Sequence, residues 1–157
     1  MNYQGSLDGT SLRIAVLTAR FNDFITDRLQ AGALDCLKRH GVAEDAVDTV
    51  AVPGAFELPL AALTLAETGR YHAVICLGAV IRGDTTHYDY VCGESARGLQ
   101  DLAIAHGAAI GYGILTVENE EQAWVRARVS DQNKGGDVAR ACLGMIGLRQ
   151  RFGLFPR

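Results

Sequence analysis

The run of ten residues from His72 to Ile81 limits the possible folds of this chain more than any other segment. Its sequence, HAVICLGAVI, is almost continuously apolar. A half-buried strand would alternate apolar and polar residues, so this run is typical of a strand that is buried on both faces of its sheet. The run therefore predicts an α/β protein in which helices cover both sides of a parallel sheet.

Around this run, apolar segments alternate with longer amphipathic ones. Between Asn22 and His40 the apolar residues recur near helical spacing, and Gly41 follows where a helix cap is expected. Pro59 falls in the first turn of the next predicted helix, where its missing N–H is tolerated. In chain order, we predict strands at 13–18, 47–52, 72–81 and 109–117, and helices at 22–40, 55–68, 86–106, 120–127 and 133–150.

This order of elements predicts a three-layer α/β/α sandwich around a four-stranded parallel sheet. We expect it to be flavodoxin-like and to form a single domain over residues 1–157, with right-handed crossovers. Residues 1–10 are polar and contain two glycines. We expect them to form an extended segment that either frays or pairs with the sheet edge of a neighbouring subunit.

Composition argues against several classes of partner. A net charge of −3 over 157 residues argues against a nucleic-acid-binding surface or a polybasic membrane patch. No apolar run approaches the roughly 20 residues of a transmembrane helix, and the amino terminus lacks a signal-peptide pattern. The four cysteines are widely spaced, without metal-site spacing. We interpret them as small buried hydrophobes in a reducing cytoplasm, and we predict no metal site.

Polar and aromatic residues cluster where the predicted strands end. The segment from Ile81 to Val91, IRGDTTHYDYV, lies between the third strand and a helix. Free backbone N–H groups and the helix dipole favour an anion there, and Thr85 and Thr86 can cap the helix or bind that anion. The segments 20–22, 53–57 and 115–116 lie at the same ends of the other strands. Ligands of parallel sheets bind at this edge.

Four histidines occur in the chain. His87 lies in the polar cluster, and histidine both gives and takes protons near neutral pH. Position alone leaves catalysis and a structural cap equally open for His87. His40 and His106 precede glycines at helix ends, where a cation complements the dipole, and His72 lies at the opposite edge of the sheet. We interpret these three as structural.

Five further segments appear in the chain in the same order as in a known family. Together with the polar cluster, they resemble the motifs of the 6,7-dimethyl-8-ribityllumazine synthases and span almost the whole chain. One such motif could arise by chance, but the set is highly specific. The segments are Ala19 to Asn22 (ARFN), Val52 to Pro59 (VPGAFELP), Gly113 to Thr116 (GILT), Glu120 to Ala123 (EEQA) and Asn133 to Gly135 (NKG).

The resemblance implies a reaction and the residues that perform it. Family members condense 5-amino-6-(D-ribitylamino)uracil with 3,4-dihydroxy-2-butanone 4-phosphate, without redox change and therefore without a cofactor. His87 is implied as the catalytic proton shuttle. The implied substrate contacts are Phe21 stacked on the pyrimidinedione ring, Ala55, Phe56 and Glu57 on the ribityl chain, the backbone of Ala79, Val80 and Ile81 on the pyrimidine edge, Asp84 and Thr85 on the phosphate, and Tyr112, Arg126 and Lys134 closing the site.

For three of these residues, charge and position bear on the implied role. Asp84 stands where Ala or Gly is common in the family, and a carboxylate repels phosphate, so we expect only its N–H to face the anion. Arg126 suits bidentate phosphate binding, with an ordinary exposed helix arginine as the alternative. Lys134 opens a predicted helix, where a cation is locally unfavourable, and this misfit favours a functional role.

The resemblance also bears on assembly and partners. Residues 127–132 (ARVSDQ) replace the Gly-Thr-Lys-Ala-Gly-like stretch of shell-forming members, so we predict a free homopentamer with active sites between subunits. Riboflavin synthase is implied as a candidate partner. Two alternatives stay open. One is a flavodoxin-like carrier without catalysis, although no nucleotide-binding glycine motif follows the first strand. The other is a flavin-binding or shell-forming paralogue with little catalysis, against which intact His87, Arg126 and Lys134 argue.

Overall fold

A computed structural model describes residues 1–155 and contains one sheet of four parallel strands. The spatial order of the strands is β2-β1-β3-β4. All four predicted strands are confirmed, with boundaries that differ by one residue at most. The strands are β1 (Ile14–Ala19), β2 (Val47–Val52), β3 (Ala73–Ile81) and β4 (Ala109–Val117).

Five α-helices connect and cover the strands, which confirms the predicted three-layer α/β/α arrangement. The second helix begins later than predicted, because residues Ala55–Glu57 form a short 3-10 turn before it. Pro59 then occupies the first turn of that helix, as expected. The helices are α1 (Asp23–Arg39), α2 (Leu58–Glu67), α3 (His87–His106), α4 (Glu120–Ala127) and α5 (Lys134–Arg151).

The apolar run in β3 is explained by its position between β1 and β4. Ile75 and Leu77 enter the core on the side of α1, α4 and α5, whereas Val74 and Cys76 enter the core on the side of α2 and α3. All four side chains are buried. Burial of one such aliphatic side chain contributes about 1.5–3 kcal/mol, so both faces of this strand demand apolar residues.

The cysteines behave largely as small hydrophobes. All four are free; Cys36, Cys76 and Cys142 are buried, and Cys92 is half-buried. Burial raises the pKa of Cys142 to about 12, which keeps the thiol protonated and unreactive. Within residues 1–155, no helix combines the length and the apolar character that crossing a membrane requires.

The N-terminal segment lies against its own chain. The Gly9 N–H donates to the His40 carbonyl at 2.7 Å. The backbone of Ser6 approaches α5 so closely that a Cβ on Gly147 would lie 2.3 Å from the Ser6 carbonyl oxygen. Fraying is therefore wrong for residues 5–9. Pairing of this segment with a neighbouring subunit stays a prediction.

Close contact between α1 and α5 depends on Gly135. A Cβ at this position would lie 2.0 Å from the Leu29 carbonyl oxygen. We expect Gly135→Ala to lower the free energy of unfolding by about 1–3 kcal/mol, because the two backbones must move apart. Gly144→Ala is the matched control in the same helix, since its Cβ would only touch Leu7 at 3.7 Å. Chemical denaturation of both variants measures the difference, and equal stability would contradict the packing role of Gly135.

Candidate active site

A cleft of about 650 Å³ opens at the carboxyl edge of the sheet. The loops after β1, β2 and β3 line it, as the positions of their motifs predicted, whereas Leu115 and Thr116 near the end of β4 line a separate depression. The cleft brings together most of the residues that the family resemblance implies. These are Phe21, Ala55, Phe56, Glu57, Ala79, Val80, Ile81, Thr85 and His87.

The floor of the cleft is a length of β3 that has lost one neighbour. Pairing between β1 and β3 ends at Thr18 and Leu77, whereas pairing between β3 and β4 continues to Ile81. Residues 78–81 therefore have a strand on one side only. Polar backbone groups on the open side must find other partners, and a flat ligand with donors and acceptors along its edge provides them.

Two phenylalanines project from the loops beside this floor. Phe21 is 72% exposed and Phe56 is 57% exposed, so the chain itself leaves more than half of each residue uncovered. Their backbones are nevertheless fixed. The Phe21 N–H donates to the Pro53 carbonyl at 2.9 Å, and the Glu57 N–H donates to the Gly54 carbonyl at 3.2 Å. Exposed aromatic rings on fixed loops suit stacking on a heteroaromatic ligand.

His87 is the first residue of α3 and lies exposed on the wall of the cleft. Its N–H donates to Thr85 Oγ1 at 3.3 Å, so Thr85 provides the side-chain cap. Thr86 occupies the N-cap position but makes no side-chain cap bond, so side-chain capping by Thr86 is wrong, and its binding of the anion stays a prediction. The helix start directs further backbone N–H groups toward the loop, which favours a bound anion.

Arg82 holds the loop before His87 and was not singled out by the sequence. Its Nε donates to Glu118 at 2.7 Å, its guanidinium approaches Asp89 at 3.5 Å, and it stacks 4.2 Å from the centre of the Tyr88 ring. These contacts join the ends of β3 and β4 to the first turn of α3. No sequence signal marked the role, because Glu118 lies 36 residues away.

Asp84 lies on the same loop but outside the cleft lining. Its side chain is exposed, whereas its neighbours Gly83 and Thr85 both line the cleft. This placement is compatible with an anion held by backbone N–H groups. The expectation that the Asp84 N–H alone faces phosphate stays a prediction.

Tyr112, Arg126 and Lys134 are not part of this cleft. They line a separate depression of about 520 Å³ between β4 and α5, and the two linings share no residue. Arg126 donates to the Gln122 carbonyl at 3.1 Å, and no ion pair of Arg126 occurs within residues 1–155. Lys134 pairs with Asp137 at 3.3 Å, which offsets its unfavourable place at a helix start.

The other three histidines lie in structural surroundings. His40 follows α1 and contacts the Cys36 carbonyl through Nδ1 at 2.8 Å, while His106 ends α3. His72 Nδ1 accepts from the Arg13 N–H at 2.8 Å, and burial lowers the pKa of His72. In the described part of the chain, no group of three or more His, Cys, Asp or Glu side chains is arranged to hold a metal ion.

Comparison with known proteins identifies the family of the chain. The sequence model of the family described as 6,7-dimethyl-8-ribityllumazine synthase matches residues 11–150. A protein of Desulfatibacillum aliphaticivorans named 6,7-dimethyl-8-ribityllumazine synthase is 47% identical over 149 residues, which cover 95% of this chain and 96% of that protein. The chain therefore belongs to the 6,7-dimethyl-8-ribityllumazine synthase family.

Proposed function

We propose that this chain condenses 5-amino-6-(D-ribitylamino)uracil with 3,4-dihydroxy-2-butanone 4-phosphate to give 6,7-dimethyl-8-ribityllumazine, the penultimate step of riboflavin biosynthesis. The observation that carries the proposal is the open edge of β3 at residues 78–81, flanked by the exposed ring of Phe21 and by His87. A planar pyrimidinedione fits between the ring and the strand edge. Its substituents then extend toward Phe56 and Glu57 on one side and toward the α3 start on the other.

The chemistry needs two aligned reactants and a proton carrier. The pyrimidine amine attacks the ketone, water leaves as the imine forms, phosphate is eliminated, and the ring closes with loss of a second water. His87 takes and returns the protons of these steps, which contributes about 10²–10⁴ to the rate. Alignment of both substrates in one cleft contributes more. No step changes an oxidation state, so the reaction needs no redox cofactor.

The phosphate site takes residues from two subunits. Thr85 and the backbone N–H groups of its loop provide one wall, and Arg126 and Lys134 of the neighbouring subunit provide the other. Support comes from the separation of the two linings within one chain and from the guanidinium of Arg126, which donates to the Gln122 carbonyl but has no carboxylate partner within residues 1–155. A head-to-tail contact that closes on itself gives a ring with cyclic symmetry, which we take to be a homopentamer.

The protein is expected to act in the cytoplasm and to have a protein partner. Free cysteines suit a reducing cytoplasm. Riboflavin synthase consumes the lumazine product and is the protein partner that family membership suggests. A non-catalytic flavin-binding or shell-forming role is the weaker reading, because such a protein would not need His87, Arg126 and Lys134 together.

The direct test mixes the purified protein with both substrates. We expect the absorbance and fluorescence of the lumazine to appear, with one phosphate released for each lumazine formed. Each substrate is also incubated alone with the protein as a control. Absence of enzyme-dependent lumazine formation in an assembled, folded sample would overturn the proposed activity.

Replacement of Arg126 tests the phosphate site. We expect Arg126→Ser to raise the Michaelis constant for the phosphate substrate about 10-fold or more, because a charge-assisted contact with the anion is lost. Binding of a phosphate-free product analogue should change little.

Arg128→Ser is the matched control, since Arg128 pairs with Asp131 at 3.7 Å and stacks on Trp124. A larger loss for the analogue than for the phosphate substrate would place Arg126 elsewhere in the site.

A further inference from the structure

Asn22 uses its side chain in an unusual way for a residue at a helix start. It precedes α1 in a left-handed conformation, with φ of 63°, and its side chain makes no cap bond to that helix. Asn133 provides the comparison, because it precedes α5 with φ of 47° and accepts from the Gly136 N–H at 3.2 Å in the ordinary capping role. The amide of Asn22 is therefore engaged elsewhere.

The partner of Asn22 is the backbone of β3. Its Nδ2 donates to the Ala79 carbonyl oxygen at 2.9 Å, across 57 residues of sequence. Thr18 and Leu77 are the last pair that β1 and β3 form, so β1 no longer reaches Ala79. The amide of Asn22 thus takes the place of the missing strand at this one carbonyl.

The direction of the backbone N–H and C=O groups in β3 shows which of them Asn22 leaves available to a ligand. Arg82 donates its N–H to the Val117 carbonyl at 2.9 Å and so faces β4. Backbone groups of successive strand residues point to opposite sides, which makes Val80 face β4 as well and turns Ala79 and Ile81 toward the side vacated by β1. With the Ala79 carbonyl occupied by Asn22, Ile81 provides the next open groups for a ligand edge.

Asn22 also anchors the backbone next to the aromatic residue beside this edge. It directly follows Phe21, whose N–H is held by the Pro53 carbonyl at 2.9 Å. The two bonds together join the ends of β1 and β3 to the loop after β2. The position of the Phe21 backbone relative to the open edge at Ile81 therefore depends on the Asn22 amide.

We propose that Asn22 is a positioning residue for the pyrimidine substrate, holding the stacking ring of Phe21 and the open edge of β3 in register through its bond to Ala79. The inference rests on the proposed function and adds a residue that makes no contact with the reacting atoms. It predicts a selective effect. Recognition of the pyrimidine should suffer, while recognition of the phosphate substrate, which depends on the α3 start, should not.

Two variants isolate the side chain from the backbone. Asn22→Gly keeps the left-handed conformation without strain and removes the amide. Asn22→Asp keeps the shape but turns an acceptor oxygen toward the Ala79 carbonyl. The matched control is Thr26→Val, because Thr26 is buried and its hydroxyl donates to the Ala19 carbonyl at 2.8 Å, so it joins α1 to β1 without reaching β3.

Steady-state kinetics with each substrate varied in turn provides the measurement. We expect Asn22→Gly to raise the Michaelis constant for the pyrimidine about five- to tenfold, and Asn22→Asp to raise it by more than about tenfold. The Michaelis constant for the phosphate substrate should stay within about twofold of wild type in both. Thr26→Val should lower the thermal midpoint but change neither Michaelis constant by more than about twofold.

Four outcomes would overturn the inference. A wild-type Michaelis constant for the pyrimidine substrate in both Asn22 variants would exclude a positioning role for Asn22. Equal increases for both substrates, or an equal pyrimidine increase in Thr26→Val, would reduce Asn22 to a structural contact. Absence of turnover in the wild-type protein would instead overturn the proposed function and this inference with it, so the wild-type rate in the same assay separates the two failures.

Discussion

His87→Gln is expected to slow turnover by about one to three orders of magnitude while substrate binding stays nearly intact. Glutamine keeps polar atoms at the helix start but cannot carry a proton between substrate and water. His87 lies on the wall of the cleft, and Thr85 already caps its backbone N–H, so the ring is not needed to hold α3 in place. Steady-state kinetics and equilibrium binding of a product analogue measure the two effects separately.

The control for this variant is His40→Gln. His40 directly follows α1 and contacts the Cys36 carbonyl. It is not one of the residues that line the cleft. Its replacement should leave turnover unchanged. Wild-type turnover in His87→Gln would exclude a catalytic role for His87, and a loss of binding as large as the loss of rate would make His87 a binding residue instead.

Most of the fold follows from local patterns in the sequence. An aliphatic run such as β3 leaves no polar face, so it predicts burial on both sides before any neighbour is known. Helical spacing, Pro59 near a helix start and Gly41 after a helix end are equally local. The second helix was predicted to begin too early, because residues 55–57 adopt a tighter 3-10 turn that has a similar sequence preference.

The residues that organise the site are harder to predict, because they act through space. Asn22 reads as an ordinary helix cap, yet its partner Ala79 lies on another strand. Arg82 reads as one charge in a polar cluster, yet Glu118 at the end of β4 holds it. Thr85 and Thr86 are interchangeable by type, and only the backbone path of the loop selects Thr85 as the cap. None of these contacts leaves a periodic signal in the sequence.

The division of the predicted site between two depressions explains why one chain is not expected to be active alone. Among residues 1–155, no arginine or lysine lines the cleft of Phe21 and His87, whereas Arg126 and Lys134 lie beside the edge strand β4. A doubly charged phosphate needs cations close by. A neighbouring subunit whose β4 edge faces the cleft would provide them.

Mixed assemblies of two inactive variants measure this sharing. Assayed at a phosphate-substrate concentration well below the wild-type Michaelis constant, where the raised constant of the Arg126 variant lowers its rate, His87→Ala and Arg126→Ala are each expected to be almost inactive when refolded alone. Refolded together in equal amounts, they form rings in which about a quarter of the interfaces join an intact His87 to an intact Arg126 of the next chain, because assembly is random and each interface has one direction. A different affinity tag on each variant confirms that both occur in one assembly.

Lumazine formation by the purified mixed assembly is the most direct test of a condensing site built from two subunits. We predict activity of about a quarter of the wild-type value, well above the sum of the two variants refolded separately. No recovery in assemblies that contain both tags would mean that His87 and Arg126 act within one chain, and it would contradict the shared site.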